Sequence, residues 1–240
     1  MPAIISTQQL TKSFGAFTAV DAITFEVYEG EIFGFLGANG AGKTTALKML
    51  TGLLTPSSGK AMVAGYDVWK HPEQVKKRIG YMSQKFSLYE DLTVRENIRF
   101  FGGIYGLSLS DIRNKTASLL SKLQLEPEAD KLVKSLPLGW KQKLAFSVAL
   151  LHEPKIVFLD EPTSGVDPLT RRQFWELIYE AAHQGVTLMV TTHYMEEAEY
   201  CNRLSMMVDG RIVALDTPGA LKTQYQAKNM DEVFRRIARG

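Results

Sequence analysis

Residues Glu31–Leu50 read EIFGFLGANGAGKTTALKML. The first part, EIFGFLG, is a dense apolar run of the kind that forms a strand buried on both faces. The last part places Leu47 and Leu50 at helical spacing and carries on toward Leu54. Between them GANGAGKT, Gly37 to Thr44, fits G-x-x-x-x-G-K-[ST] in the strand–turn–helix setting the motif requires. Glycines let such a loop fold its backbone N–H groups around a phosphate, and the helix start adds positive potential. Lys43 is then placed to reach the β- and γ-phosphates, and Thr44 to ligate Mg²⁺. The competing reading, a chance glycine turn before a helix, does not account for both flanks being right.

Working outward, AITFEVY alternates Ile23, Phe25 and Val27 with polar neighbours, which predicts a half-buried antiparallel strand. KIVFLDE and VTLMVTT read as two more buried strands, and RIGYMSQ as a shorter one. LTRRQFWELIYEAAHQG reads as a helix with Phe174, Ile178 and Ala181 on one face and Gly185 as its stop. This alternation is β-α-β logic, hence a parallel sheet with helices on both sides. LSMMV-DG-RIVAL reads as a hairpin on an Asp-Gly turn. The middle of the chain is helical instead. Thr93 with Glu96 and Ser108 with Asp111 make capping boxes. DIRNKTASLLSKLQL carries Ile112, Leu119, Leu120 and Leu123 on one side, and Pro154 is expected to end the last helix of the segment. The chain thus divides into an α/β core over about 1–85 and 154–220, an inserted helical subdomain over about 86–153, and an amphipathic C-terminal helix over about 229–239.

The acids follow the strands. Asp160 ends IVFL, where a carboxylate can hold the Mg²⁺ shell opposite the loop. Glu161 follows at once and can orient or deprotonate an attacking water. Two solubilising acids at a strand exit are the plainer reading, and the upstream phosphate loop weighs against it. His193 ends LMVTT. A lone histidine is commonly structural, yet a strand's C-terminal edge offers this one the γ-phosphate. Gln84 ends RIGYMSQ, where its amide could join the Mg²⁺ and water network. Phe14, in LTKSFG, is either a packing residue or a stacking platform for adenine.

Composition narrows the setting. The 240 residues allow a substantial core, and the net charge of +2 gives no nucleic-acid footprint. The single cysteine, Cys201, rules out an intrachain disulfide and is expected to be a packing residue. The start, MPAIISTQQL, is not a signal peptide, and no apolar run approaches the about 20 residues of a membrane helix. Any membrane role is expected from the water side.

Together these pieces resemble the ATP-binding cassette (ABC) family over nearly the whole chain: an α/β P-loop ATPase core with a mixed, largely parallel sheet, an antiparallel β subdomain and an inserted helical subdomain. The order is the family's: TKSFG, GANGAGKTT, YMSQ, LPLGWKQK, IVFLDEP, SGVD and TTH. The resemblance implies Phe14 and Val20 at the base, and Gly37, Asn39, Gly40, Ala41, Gly42, Lys43, Thr44 and Thr45 around ATP and Mg²⁺. It implies Gln84 and Asp160 on the metal, Glu161 as catalytic base, with His193 and Gln84 beside it. It also counts Gly139 and Asp167 among the nucleotide-site residues, Gly139 in the signature that meets the other cassette's ATP and Asp167 linking the two halves of the dimer. VRENIRFFGGIYGL, THYMEEAEYCNRLSMMVDGRIVALDTPGALK and DEVFRRI look closest to the ABC-2 exporter class, with one cassette of a tandem drug-export ATPase as the nearest pattern. The implied partners are a second cassette and transmembrane permease subunits at the cytoplasmic face of the membrane, without nucleic acid. Part of the set Phe86, Leu88, Tyr89 and Leu92 is expected to line a groove for a short helix of the permease.

One motif departs from the family. Where L-S-G-G-Q or similar stands, this chain has Leu136-Pro137-Leu138-Gly139-Trp140. Pro137 brings neither hydroxyl nor amide hydrogen, and Leu138 hinders close backbone approach. Gly139 and the helix dipole remain, and proline is comfortable in a helix's first turn. A lost hydrogen bond to a charged phosphate weakens the clamp by about 1.5–3 kcal/mol, or roughly ten- to a hundredfold. A complete catalytic set beside a poor signature favours pairing with a non-identical cassette, possibly on the same polypeptide, over a homodimer. A soluble cassette ATPase of translation or DNA repair is the alternative, although such relatives carry two cassettes or long coiled-coil insertions. A GTPase would want N-K-x-D, whereas NKTA at Asn114 lacks the aspartate. A small-molecule kinase would not explain Gln84, Glu161 and His193 together.

Overall fold

The computed structural model describes residues 2–84 and 88–239. Lys85 and Phe86 of the expected permease groove lie outside the described residues. The strands are β1 (Ala3–Phe14), β2 (Phe17–Tyr28), β3 (Ile32–Leu36), β4 (Ser58–Val63), β5 (Tyr66–Asp67), β6 (Ile79–Met82), β7 (Ile156–Asp160), β8 (Thr187–Thr192), β9 (Arg203–Val208) and β10 (Arg211–Asp216). The helices are α1 (Lys43–Leu50), α2 (Pro72–Lys76), α3 (Val94–Ile104), α4 (Leu109–Leu123), α5 (Leu138–Ala149), α6 (Pro168–His183), α7 (Met195–Ala198), α8 (Pro218–Gln224) and α9 (Met230–Arg239).

Two sheets form. One is six-stranded in the order β10-β9-β3-β8-β7-β6; the other is four-stranded in the order β2-β1-β4-β5. In the larger sheet β9, β3, β8, β7 and β6 run parallel, and β10 closes it as the antiparallel arm of the hairpin on Asp209 and Gly210. The smaller sheet is antiparallel throughout. AITFEVY falls within β2 and shows the expected alternation, with Ile23, Phe25 and Val27 buried. β1 escaped the pattern because its register against β2 shifts repeatedly, so its side chains do not keep a period of two.

The central strands are buried on both faces, and their alternation sorts side chains between two cores. Val157, Leu159, Leu188 and Val190 face a core shared with α3, α4, α5 and α6. Ile156, Phe158, Met189, Phe33 and Phe35 face the core of α1 and the antiparallel sheet. The three long helices between β6 and β7 therefore pack through the same apolar cluster as the sheet they interrupt. A third cluster joins Leu36, Leu204 and Met206 to Leu221, Met230 and Val233, seating α8 and α9 near the sheet.

Several element ends refine the sequence reading. Leu54 lies beyond α1, because Gly52 takes φ +70° and the amides of Leu53 and Leu54 both return to the Lys48 carbonyl. Thr93 and Glu96 form the full capping box of α3. Ser108 caps α4, but Asp111 binds its hydroxyl rather than its amide. Pro154 does not end α5, which stops at Ala149; Glu153, with φ 56°, is already out of the helix. Leu88 is a core residue, 6% exposed, so it lines no open groove, whereas Tyr89 is 53% exposed. Cys201 is buried in packing contacts, and burial pushes its thiol pKa far up, away from reactivity.

Candidate nucleotide site

β3, β8, β7 and β6 are adjacent parallel strands, so their C-terminal ends form one edge. Ligands of open α/β sheets bind along such an edge. The loop from Gly37 leaves β3, Asp160 ends β7, His193 follows β8 and Gln84 lies just past β6.

The loop turns into α1 through Gly42, whose φ of +104° is left-handed and whose missing Cβ would sit 2.4 Å from the Ala19 carbonyl oxygen. Any other residue would be strained and would strike β2. Ala38, Asn39 and Gly40 are exposed at the crest, and the Ala41 amide bonds back to the Ala38 carbonyl at 3.1 Å. Lys43 is 4% exposed and donates to the carbonyls of Gly37 (2.8 Å) and Ala38 (3.1 Å). Thr45 is half-buried in the first turn of α1.

Asp160 is buried at 1% exposure. Its Oδ1 accepts hydrogen bonds from the Thr44 hydroxyl (3.1 Å) and the Thr191 hydroxyl (2.8 Å). Its Oδ2 has no hydrogen-bond partner among the described residues. Burial raises its carboxyl pKa above the usual value; the two hydroxyls pull it back, the Glu161 charge adds to the rise, and Lys43 opposes it. Nearby, burial and then the Asp160 charge push the Tyr81 phenol up to about 12, so it stays neutral. A buried carboxylate oxygen without a partner, beside a threonine hydroxyl, fits a hard divalent cation with oxygen ligands. Thr44 and Asp160 are thus compatible with Mg²⁺.

Glu161 adopts φ 49°, a left-handed conformation unusual for a residue with a side chain. Its amide is held by the Thr191 carbonyl (3.2 Å) and hydroxyl (2.9 Å). Its carboxylate gathers three nitrogens. Lys43 Nζ lies 3.3 Å from Oε1; Gln84 Nε2 and His193 Nδ1 lie 3.2 and 3.0 Å from Oε2. Local strain held in place by a partner strand is a frequent mark of a functional site. Sequence reasoning found each member of this cluster but missed Thr191, which supports both acids. The signal available was a hydroxyl immediately before Thr192-His193 at the end of an apolar strand.

Three other expected residues lie apart from this cluster. Phe14 is 51% exposed at the end of β1, with the Lys12 ammonium 5.1 Å from its ring centroid. Val20 is fully buried among Ile23, Phe33 and Phe35, so it offers no surface to a nucleotide; its place is the core beneath the loop. Asp167 is the N-cap of α6, accepting from the amides of Leu169 and Thr170 and from the Thr170 hydroxyl. The Thr170 hydroxyl and amide hold its carboxyl pKa below the usual range.

α5 begins at Leu138, with Pro137 as its N-cap and no side-chain cap. Pro137 is therefore not in the helix's first turn, as expected, but at the position where a serine hydroxyl would cap. Leu138 is 44% exposed. Gly139 has no room for a side chain, because an added Cβ would lie 2.4 Å from Thr170 Cγ2 on α6. The start of α5 is thus packed against the N-terminal turn of α6, and Gln142 ties it further by donating to the Ser164 carbonyl at 3.2 Å.

A phosphate loop facing an Asp-Glu pair, with a glutamine and a histidine converging on the glutamate, defines a P-loop ATPase of the cassette kind. The model of the ABC transporter family matches residues 20–164, and the chain belongs to that family. This chain is an ATP-binding cassette of that family. It is 51% identical over 221 residues to the probable multidrug ABC transporter ATP-binding protein YbhF of Escherichia coli K12, covering 92% of this chain and 38% of that protein. It thus spans well under half of that relative's length. It is 39% identical to the Nod factor export ATP-binding protein I of Paraburkholderia xenovorans, covering 97% of this chain and 77% of that one. A solved ATP-binding subunit of an ABC transporter superposes with a TM-score of 0.88 at 29% identity, over 98% of this chain and 99% of that one.

Proposed function

We propose that this cassette powers a membrane exporter by ATP-driven closure against a second cassette. The observation that carries the catalytic reading is the Glu161 carboxylate, buried and held by Lys43, Gln84 and His193. ATP lies with its β- and γ-phosphates over the loop, where Lys43 exchanges its Glu161 contact for phosphate oxygens. Thr44 and Asp160 would hold Mg²⁺, which would supply positive charge against the charge developing on the phosphates. Glu161, released from Lys43, accepts a proton from the water attacking the γ-phosphorus. Gln84 and His193 keep its second oxygen oriented, and His193 is placed to meet the γ-phosphate. Phe14 stacks on adenine.

Export is inferred from the relatives, named for multidrug transport, Nod factor export and linearmycin resistance. The non-transport reading has no counterpart among them. The cassette works beside permease subunits at their cytoplasmic face; no helix among the described residues is long and apolar enough to cross a membrane. Tyr89 and Phe100, in ring contact, and Ile104 one turn further along α3 are exposed apolar side chains, suited to a short permease helix. The second cassette is a non-identical one, possibly on the same polypeptide. This chain's intact acids then meet the partner's signature, and Pro137 and Leu138 face the less demanding site.

Two variants test the catalytic reading. Lys43→Ala should lose triphosphate binding by calorimetry. Glu161→Gln should keep binding and lose turnover. Unchanged affinity in the first, or parental turnover in the second, refutes the assignment concerned.

A further inference from the structure

Outside the nucleotide cluster lies a second buried charge. Glu197, on α7, is 0% exposed. Its Oε1 accepts a hydrogen bond from the Thr163 hydroxyl at 2.5 Å and lies 3.6 Å from Arg171 Nε on α6. Its Oε2 has no hydrogen-bond partner among the described residues. The Arg171 guanidinium in turn lies over the Tyr194 ring, 3.8 Å from its centroid, and Tyr194 stands 4.2 Å from the His193 ring. A buried carboxylate is a costly way to fill space, since an apolar side chain of similar size packs without desolvating a charge. What the carboxylate adds is direction, because it accepts only along its lone pairs and only from donors that stay in place.

The donor Thr163 follows β7, and Glu197 itself follows β8, so the contact joins the segments leaving two neighbouring strands, with Arg171 as an ion-pair neighbour. Thr163 lies between Glu161 and Asp167, in the stretch leading to the dimer contact. Tyr194 directly follows His193. One charge therefore ties the chain leaving β7 to the chain leaving β8.

We propose that Glu197 is a positioning residue for ATP hydrolysis: through Thr163 and Arg171 it fixes the 163–167 segment and His193 relative to each other. The inference rests on the roles given above to Glu161 and His193. Glu197 is buried at 0% exposure, away from any surface that could meet nucleotide, so it acts on turnover and leaves ATP affinity alone.

The test uses Thr163→Val, Thr163→Ser and Glu197→Gln in the full chain with its partner cassette. Thr163→Val keeps the side-chain size and deletes the hydroxyl; Thr163→Ser keeps the hydroxyl. We expect Thr163→Val and Glu197→Gln to lower turnover at saturating ATP by about tenfold or more with Mg-ATP affinity within about twofold of the parent. Thr163→Ser should restore it. The double variant should be no slower than the slower single one, because both changes break one contact. Hydrogen exchange should quicken at 162–167 and 193–198 together and not elsewhere. If Glu197→Gln does not fold, the Thr163 pair carries the same test. Parental turnover in Thr163→Val, an affinity loss that accounts for the slowing, or no rescue by serine overturns the proposal. Glu161→Gln and His193→Ala are measured alongside. If those are impaired and Thr163→Val is normal, the positioning role alone fails. If Glu161→Gln turns over like the parent, the catalytic reading fails and takes this inference with it.

Discussion

Replacing Pro137 by serine and Leu138 by glycine restores the family's pattern at the start of α5, and the effect can be bounded. Pro137 is the N-cap and caps nothing with its side chain. A serine there accepts from a first-turn amide and stabilises by about 1 kcal/mol. It also frees the unfolded chain, which costs about 0.4–1 kcal/mol. Leu138→Gly costs about 0.5–1 kcal/mol of backbone entropy and forfeits about 1 kcal/mol of apolar burial, since the side chain is 44% exposed. The losses outweigh the new cap by about 1–2 kcal/mol, so the melting temperature should fall by about 2–8 °C while the chain stays folded. Phosphate binding gains a hydroxyl and a close approach. One hydrogen bond to a charged phosphate is worth about 1.5–3 kcal/mol, which is roughly ten- to a hundredfold. The assay is steady-state ATP hydrolysis at saturating Mg-ATP. A homodimer of the purified chain, with both sites altered, should gain by that factor. A pair with a non-identical cassette should gain little, because only its secondary site changes. A homodimer that is already fully active and indifferent to the two substitutions would show that Pro137 and Leu138 do not weaken the clamp.

Two further outcomes follow from the same geometry. Asp160→Asn keeps an acceptor for Thr44 and Thr191 but removes a charge whose pKa burial raises above 3.8. A raised carboxyl pKa means that the charged form destabilises the fold at every pH above the folded pKa, and that the penalty fades as pH falls toward the unfolded value. Melting without Mg²⁺ should therefore show the variant more stable than the parent at pH 7, converging toward pH 4, while hydrolysis is lost. A variant that is less stable at neutral pH refutes the burial argument. For the permease surface, Tyr89→Cys should crosslink to a short cytoplasmic helix of the membrane subunit. Crosslinks found only from the opposite face of the cassette would move the docking site elsewhere.

The chemistry was legible wherever it is local in the chain. A phosphate loop needs a few consecutive residues with the right backbone freedom, so GANGAGKT announced itself. Asp160 and Glu161 are adjacent, and the apolar run before them marks a buried strand with its end at the sheet's edge. The Asp209-Gly210 turn and the Thr93–Glu96 box were likewise readable, because their hydrogen bonds close within a few residues. What was not legible has the same root. Val20 was expected at the base from the resemblance, and its burial in one cluster with Phe33 and Phe35 is set by packing. Leu88 looks like its exposed neighbour Tyr89 in sequence, and only the helical core decides which of the two is covered.

The sequence by itself therefore determined the central strands, the parallel sheet and the identity of the reacting groups, since each depends on short-range periodicity or on a contiguous motif. The tertiary structure decided their meeting. Gln84, Lys43 and His193 converge on Glu161 only because β6, β7, β8 and β3 are neighbours in the sheet although far apart in the chain. It also decided that Thr191 props both acids and that Glu197 lies buried between Thr163 and Arg171. Strand order and burial are outcomes of global packing, and no periodicity of two or of 3.6 residues encodes which strand lies beside which.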